Sequence, residues 1–246
     1  MNYGKDNLSQ LKKDDLGTKV SRKIGFTLLR TALIGMLALM ILVGFAGYGA
    51  IMGLIKSAPD ISTLSVTPSE SATYIYNADG SVMQKLSLAT SNRTIVTIDQ
   101  IPLDLQHAVV AIEDERFYTH NGIDIRGIIR AGVIGITTGN FSEGASTITQ
   151  QLLKNNVFTD WMNETSLIDK FKRKFQEQYL ALQLEKVVSK EQILEDYLNT
   201  INLGAGAYGV QAAAHRYFDK DVSELNLSEC AVIAAITQNP TRYNPI

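Results

Sequence analysis

The spacing of apolar and polar positions divides the chain into three stretches. From Thr31 to Ile55 no charged residue occurs, enough apolar helix to cross roughly 30 Å of hydrocarbon. Next, Thr73–Asn77 and Ser81–Ser87, separated by Ala78-Asp79-Gly80, predict a β-hairpin turned by Asp-Gly, with Arg93–Ile98 a candidate third strand. Beyond it the apolar positions recur at helical spacing. The expected helices are Leu103–Glu115 (after Pro102), Asp124–Thr137, Ser146–Asn155, about Ser166 to Val187, Lys190–Asn199, Gly209–Phe218 and Ser228–Gln238. Ser189 with Gln192, and Asn226 with Glu229, carry the capping-box spacing. The Ser/Thr/Pro-rich stretch Ser57–Ala72 reads as a linker. The organisation expected is a tail over 1–30, a transmembrane helix over 31–55, a linker over 56–72, a small β element over 73–100 and a mainly α domain over 101–246.

Charge adds an orientation. Lys12, Lys13, Lys19, Arg22, Lys23 and Arg30 precede the apolar run, whereas only Lys56 follows it before Lys85. The positive-inside rule then puts the N-terminus in the cytoplasm and the domain outside. A cleaved signal peptide would have a shorter apolar core, of about 7–15 residues. Overall, 23 Lys and Arg against 25 Asp and Glu give no footprint of a nucleic-acid binder. The single cysteine, Cys230, excludes an internal disulfide and reads as a buried small apolar residue. His107, His120 and His215 lack metal-ligand spacing, so no metal site is expected. Gly204, Gly206 and Gly209 spell the dinucleotide-fold glycine string, but a helix rather than a buried strand precedes them. A tight backbone approach to a ligand or to another helix is the reading they support.

Three segments carry candidate chemistry. Glu113-Asp114-Glu115 sits at the C-terminal end of a helix read as buried from Ala108, Val109, Ala111 and Ile112, the end where the macrodipole disfavours acids. Neighbouring like charges raise carboxylate pKa values, which suits a general base; a solvated helix end is the plainer alternative. Gly144-Ala145-Ser146-Thr147 leads into a helix bearing Thr149, Gln150, Gln151, Lys154 and Asn155. Its exposed amides and hydroxyls suit an anion, and Lys154 adds a point charge. On the long helix, Lys170, Arg173, Lys174 and Glu177 share one side, opposite Ile168, Phe171, Phe175, Tyr179 and Leu182. Arg173 and Glu177 are i,i+4 partners, and the charged side turns apolar at Leu180, Ala181 and Leu184, so Glu177 falls where the helix passes from wet to buried. A surface ion pair is the alternative there.

In this order the strings resemble glycosyltransferase family 51, the peptidoglycan polymerase domain of class A penicillin-binding proteins and of monofunctional polymerases. Ala108–Asp124, Gly144–Asn155, Arg173–Glu177, Tyr197–Val210 and Leu227–Pro245 are similar to its five motifs. Ala145, where the family commonly has glycine, is a small departure. The resemblance implies a lysozyme-like helical domain with a membrane-proximal jaw, which polymerises lipid II with inversion and releases undecaprenyl pyrophosphate. It implies Glu113 as general base and Glu177 as second carboxylate near the leaving pyrophosphate, acting directly or through a divalent cation; no cofactor is otherwise required. Lys154 and Arg173 are implied to bind pyrophosphate, and Asp114, His120, Ser146, Thr147, Gln151 and Asn155 to line the substrate pocket. Expected partners are lipid II, the growing lipid-linked strand, membrane lipids and other cell-wall synthesis proteins, with no nucleic acid. The apolar run Ile123–Phe141, charged after Asp124 only at Arg126 and Arg130, becomes the jaw at the bilayer interface in this reading; from pattern alone it is equally a buried core helix.

The boxes of a serine transpeptidase are missing: S-x-x-K occurs only at Ser9–Lys12 in the tail, and S-x-N and K-T-G do not occur. The chain also stops at Asn244-Pro245-Ile246, before helices expected to close the lobe, which reads as a truncated glycosyltransferase domain. Two other functions compete: a lytic transglycosylase or lysozyme-like hydrolase, and an inactive membrane-anchored scaffold.

Overall fold

The computed structural model describes residues 5–61, 64, 66–67, 73–86, 93–140, 144–158, 161 and 163–246. Residues 1–4 of the expected tail, parts of the expected linker, and the terminal residues Ser87 and Phe141 of two expected segments lie outside these. The chain divides into two compact units, Met1–Lys56 and Ser57–Ile246.

The first unit is one helix, α1 (Lys5–Lys56), continuous through the tail and the apolar run. Its Lys23–Lys56 portion is long and apolar enough to cross a membrane. Phe26, Leu33, Leu42 and Phe45 stand exposed along it, as suits a helix whose apolar surface runs all round.

The second unit opens with the expected hairpin, β1 (Thr73–Tyr76) paired antiparallel to β2 (Val82–Leu86). Gly80 takes the turn with φ +84°, while Asp79 Oδ1 accepts from Ser81 N at 2.9 Å. That bond and the positive φ of Gly80 are the local reasons Asp-Gly turns the chain here. Arg93–Ile98 does not form a third strand. Its Val96 instead pairs with a side chain: Val96 N donates to Asn199 Oδ1 (3.0 Å) and Asn199 Nδ2 donates to Val96 O (2.8 Å). An amide side chain substitutes for a neighbouring strand, leaving no ladder to extend.

The rest is helical: α2 (Leu103–Glu113), α3 (Ile125–Thr138), α4 (Ile148–Asn156), α5 (Leu167–Leu184), α6 (Lys190–Leu198), α7 (Val210–Phe218) and α8 (Leu227–Gln238). This is the lysozyme-like helical domain expected from sequence, with each predicted helix present. The core gathers Leu105 and Val109 from α2, Ile148, Leu152 and Leu153 from α4, Leu180 and Leu184 from α5, Leu194, Tyr197 and Leu198 from α6, and Ile233 and Ile236 from α8. Cys230 is buried in it and free, as expected. Capping explains several starts: Ser189 accepts from Gln192 N, and Asn226 forms a complete capping box with Glu229.

Two patterns pack differently from the expectation. α2 is only half-buried: Leu105, Gln106, Val109 and Val110 face inward, while Ala111 and Ile112 face out. On α5 the buried residues are Gln176, Glu177, Leu180, Ala181 and Leu184, whereas Ile168 and Phe171 are 79% and 67% exposed. α3 is likewise no core helix, since Ile125, Ile129, Val133 and Ile136 are exposed and only Gly127 and Gly135 are buried.

Candidate active site

The site is assembled from both ends of helices. α2 delivers Glu113 as its last residue, after which the chain leaves the helix at Asp114 (φ −158°, ψ 71°). The three acids then part company. Glu113 turns toward α4, Asp114 turns inward and is 7% exposed, and Glu115 stays on the surface beside Arg116 at 3.1 Å. Glu113 Oε2 accepts from Gln151 Nε2 (2.7 Å) and its Oε1 accepts from Thr237 Oγ1 (2.5 Å). Behind Gln151, the buried Tyr197 hydroxyl donates to Gln151 Oε1 (3.3 Å). Burial, and then the negative charge of Glu113 and Asp114, push the Tyr197 phenol up, so it remains a donor. Glu113 is thus held by two neutral donors, with lone pairs left on both oxygens.

Asp114, expected in the substrate pocket, lines the cleft beside Glu113 and is paired with His120. His120 Nε2 lies 2.9 and 3.0 Å from the two Asp114 oxygens, and Asp114 Oδ2 also accepts from Ile148 N (3.0 Å) at the start of α4. Gly122 N donates to His120 Nδ1 (3.2 Å), so the ring proton sits on Nε2 and points at Asp114. Gly122 has φ +92°, and a Cβ there would lie 2.5 Å from the Ala181 carbonyl, so glycine is required on both counts. Thr147 is also spent structurally. It, rather than Ser146, caps α4 in a capping box with Gln150, and its hydroxyl donates to Gly122 O (2.7 Å). These buried bonds fix the end of α2 to the start of α4, and so fix Glu113 relative to Gln151.

Ser146, Gln151, Lys154 and Asn155 are partly exposed. Lys174 Nζ donates to Ser146 Oγ (2.7 Å) and to Glu177 Oε2 (3.1 Å). Arg173 Nη1 donates to Glu177 Oε1, confirming the i,i+4 pair. Glu177 is wholly buried, each oxygen matched to a cation. Lys154 lies over the Trp161 ring, 4.5 Å from its centroid. Burial lowers the Lys154 pKa; Glu177 opposes this, while Lys174 and Arg173 add to it. These groups therefore share one electrostatic environment. Asn155 makes no side-chain hydrogen bond among the described residues.

A polar cleft of about 130 Å³ lies beside Glu113, bounded by Ser146, Thr147, Arg116, Arg130 and Asp124. Arg116 Nη2 donates to Asp124 Oδ2 (2.6 Å), which holds the Asp124 carboxyl down at about 2. Sequence reasoning left Lys174, Thr237, Tyr197, Trp161 and Glu164 without roles. Lys174 was legible, being three residues before Glu177 on the same side. Thr237 had no local signal, because its partner lies 124 positions away.

No group of three or more His, Cys, Asp or Glu side chains converges as a metal site among the described residues. Glu177, the carboxylate expected to act at the pyrophosphate, has both oxygens already facing Arg173 and Lys174. That donor set does not fit a metal.

A helical domain that sets a held carboxylate near a cluster of cations, and that follows in sequence a helix able to span a bilayer, has the parts of an enzyme acting on charged substrates at a membrane. The transglycosylase family model matches residues 79–246, and the chain belongs to that family, glycosyltransferase family 51. It is similar to penicillin-binding protein 1A of Clostridium perfringens (strain 13 / Type A), 45% identical over 198 residues, covering 79% of this chain and 28% of that protein. Penicillin-binding protein 1A of Escherichia coli (strain K12) is 42% identical over 204 residues, 81% of this chain and 23% of the relative. The Clostridium botulinum (strain Langeland / NCTC 10281 / Type F) protein of the same name is 40% identical over 213 residues, 85% and 25%. The chain thus spans about a quarter of the length of these relatives.

Proposed function

We propose that this chain is a peptidoglycan glycosyltransferase that joins lipid II units into β-1,4-linked glycan with inversion at the anomeric carbon. Glu113 takes the proton from the acceptor 4-hydroxyl as that oxygen bonds to C1 of the donor. The C1–O bond to pyrophosphate breaks, and undecaprenyl pyrophosphate leaves with the electron pair. Lys154, Arg173 and Lys174 meet the charge that develops on it, an electrostatic contribution made in the transition state. Glu177 sets the positions of Arg173 and Lys174 from its buried site, and no step requires a metal ion.

One observation supports this reading above the others: the two ends of the site differ in charge. Glu113 is held by the neutral donors Gln151 and Thr237, whereas Glu177 is tied to two cations with Lys154 nearby. A two-carboxylate glycosidase needs its second carboxylate free to act on the sugar or on a water, a task for which a doubly ion-paired Glu177 is unsuited. A cationic end fits a pyrophosphate leaving group instead. The exposed apolar residues of α3, with Arg126 and Arg130 among them, fit a surface at the lipid interface where such a substrate resides.

Purified chain incubated with lipid II tests the proposal. Lengthening glycan and released undecaprenyl pyrophosphate are expected. Cleavage of added glycan would favour the hydrolase, and no turnover with intact lipid II binding would favour a scaffold.

A further inference from the structure

Glu164 stands outside the mechanism above, yet it touches one of its cations. Arg173 Nε donates to both Glu164 oxygens, at 3.0 and 2.9 Å, while Nη1 serves Glu177. The two contacts are unlike. Glu177 is 1% exposed at its side chain and cannot leave without stranding a buried charge, whereas Glu164 is 19% exposed and lines an open cavity of about 430 Å³. A guanidinium recognises phosphate through a planar fork, and here Nε, one corner of that fork, is occupied by a carboxylate. Glu164 also adds negative charge where an anionic leaving group must bind.

We infer that Glu164 is an exchangeable counter-ion of Arg173, displaced by the pyrophosphate of the donor. It is a positioning residue: it keeps Arg173 oriented and compensated between turnovers, then competes with the product for the same donor and so hastens release. Lys172 lines the same cavity and has no ion pair among the described residues, giving the displaced carboxylate a cation to turn to. The inference rests on the pyrophosphate assignment of Lys154 and Arg173.

Trp161 supplies the readout. It is the chain's single tryptophan, lies over Lys154 and is three residues before Glu164. In the full chain in detergent micelles, titration with inorganic pyrophosphate and with undecaprenyl pyrophosphate is expected to change Trp161 emission. Glu164→Gln, which keeps the shape and removes the charge, is expected to tighten both by about fivefold, the scale of a partly exposed ion pair. It should lower kcat while lowering KM, as slower product release requires. Glu164→Asp, a check should the glutamine variant fold poorly, should stay within twofold of wild type. Weaker or unchanged binding in a folded Glu164→Gln overturns the inference, because a merely structural contact predicts loss and never gain. If Lys154→Ala and Arg173→Ala also bind pyrophosphate like wild type, the pyrophosphate assignment itself fails. If they lose binding while Glu164→Gln gains none, only the counter-ion role fails.

Discussion

Two carboxylates of the same chemistry are made different by their donors. Glu113 receives an amide and a hydroxyl, while Glu177 receives a guanidinium and an ammonium. A base needs an available lone pair and a proton acceptor's charge, so Glu113→Gln, which keeps the shape and removes the charge, should cut the polymerisation rate by roughly 10²–10⁴. Lipid II binding and the melting temperature should stay near wild type. Activity within a few-fold of wild type would remove Glu113 from the mechanism. Glu177 can act through Arg173 alone or through Arg173 and Lys174 together, since it pairs with both. A double-mutant cycle on rate separates the two. If Glu177 works only by positioning Arg173, Arg173→Ala/Glu177→Gln should be no worse than Arg173→Ala; if it also positions Lys174, a further loss should appear. Arg173→Lys should rescue incompletely, since an ammonium lacks the fork.

At the scale of elements, helices were legible because their signals are local, and their faces were less so. The capping residues Ser189 and Asn226 and the apolar spacing mark helix starts in the sequence itself. Which stripe is buried depends on neighbours: on α5, Phe171 and Ile168 are as apolar as Leu180, yet only Leu180 finds a helix to pack against. Arg93–Ile98 failed as a strand for a similar reason, since its hydrogen-bond partner is the side chain of Asn199, 103 residues on from Val96. Within the polar run at the start of α4, Thr147 and Gln150 close a capping box at the helix terminus, and Thr147 also bounds the cleft. α6 carries a hidden cost of its own. Asp196 is buried with one long bond from Gln192 Nε2 (3.3 Å), and burial lifts its carboxyl from 3.8 to about 6. A raised carboxyl pKa favours the protonated folded state, so this contribution to stability is complete below about pH 4 and disappears as pH rises through about 6. Asp196→Asn should therefore be more stable than wild type at pH 7.5, by on the order of 1–2 kcal/mol, and no more stable than wild type at pH 3.5. Thermal melts at the two values check it, and an equal gain at both would mean that charge is not the cause.

For the whole molecule, the two compact units answer to different solvents. Residues 57–246 enclose an apolar core, while the Lys23–Lys56 helix keeps its apolar side chains on the outside. An exposed helix of that composition is stable where water is absent, because its backbone is satisfied internally and its side chains match hydrocarbon. This division was plain in the sequence, since a long uncharged run needs no tertiary context to be recognised. Orientation follows from flanking charge: the residues before Thr31 are rich in Lys and Arg, and Lys56 stands alone after the span until Lys85. Residues 57–246 should consequently face outward. Protease added to intact spheroplasts should digest the domain and leave a small fragment containing the span and tail. A second arm makes the charge argument specific. Replacing Lys12, Lys13, Lys19, Arg22, Lys23 and Arg30 with Gln should make orientation mixed, so that a protected full-length fraction appears. If the unaltered domain is protected in intact cells and is digested only after lysis, the orientation is reversed, and lipid II polymerisation on the outer face by this chain is ruled out with it.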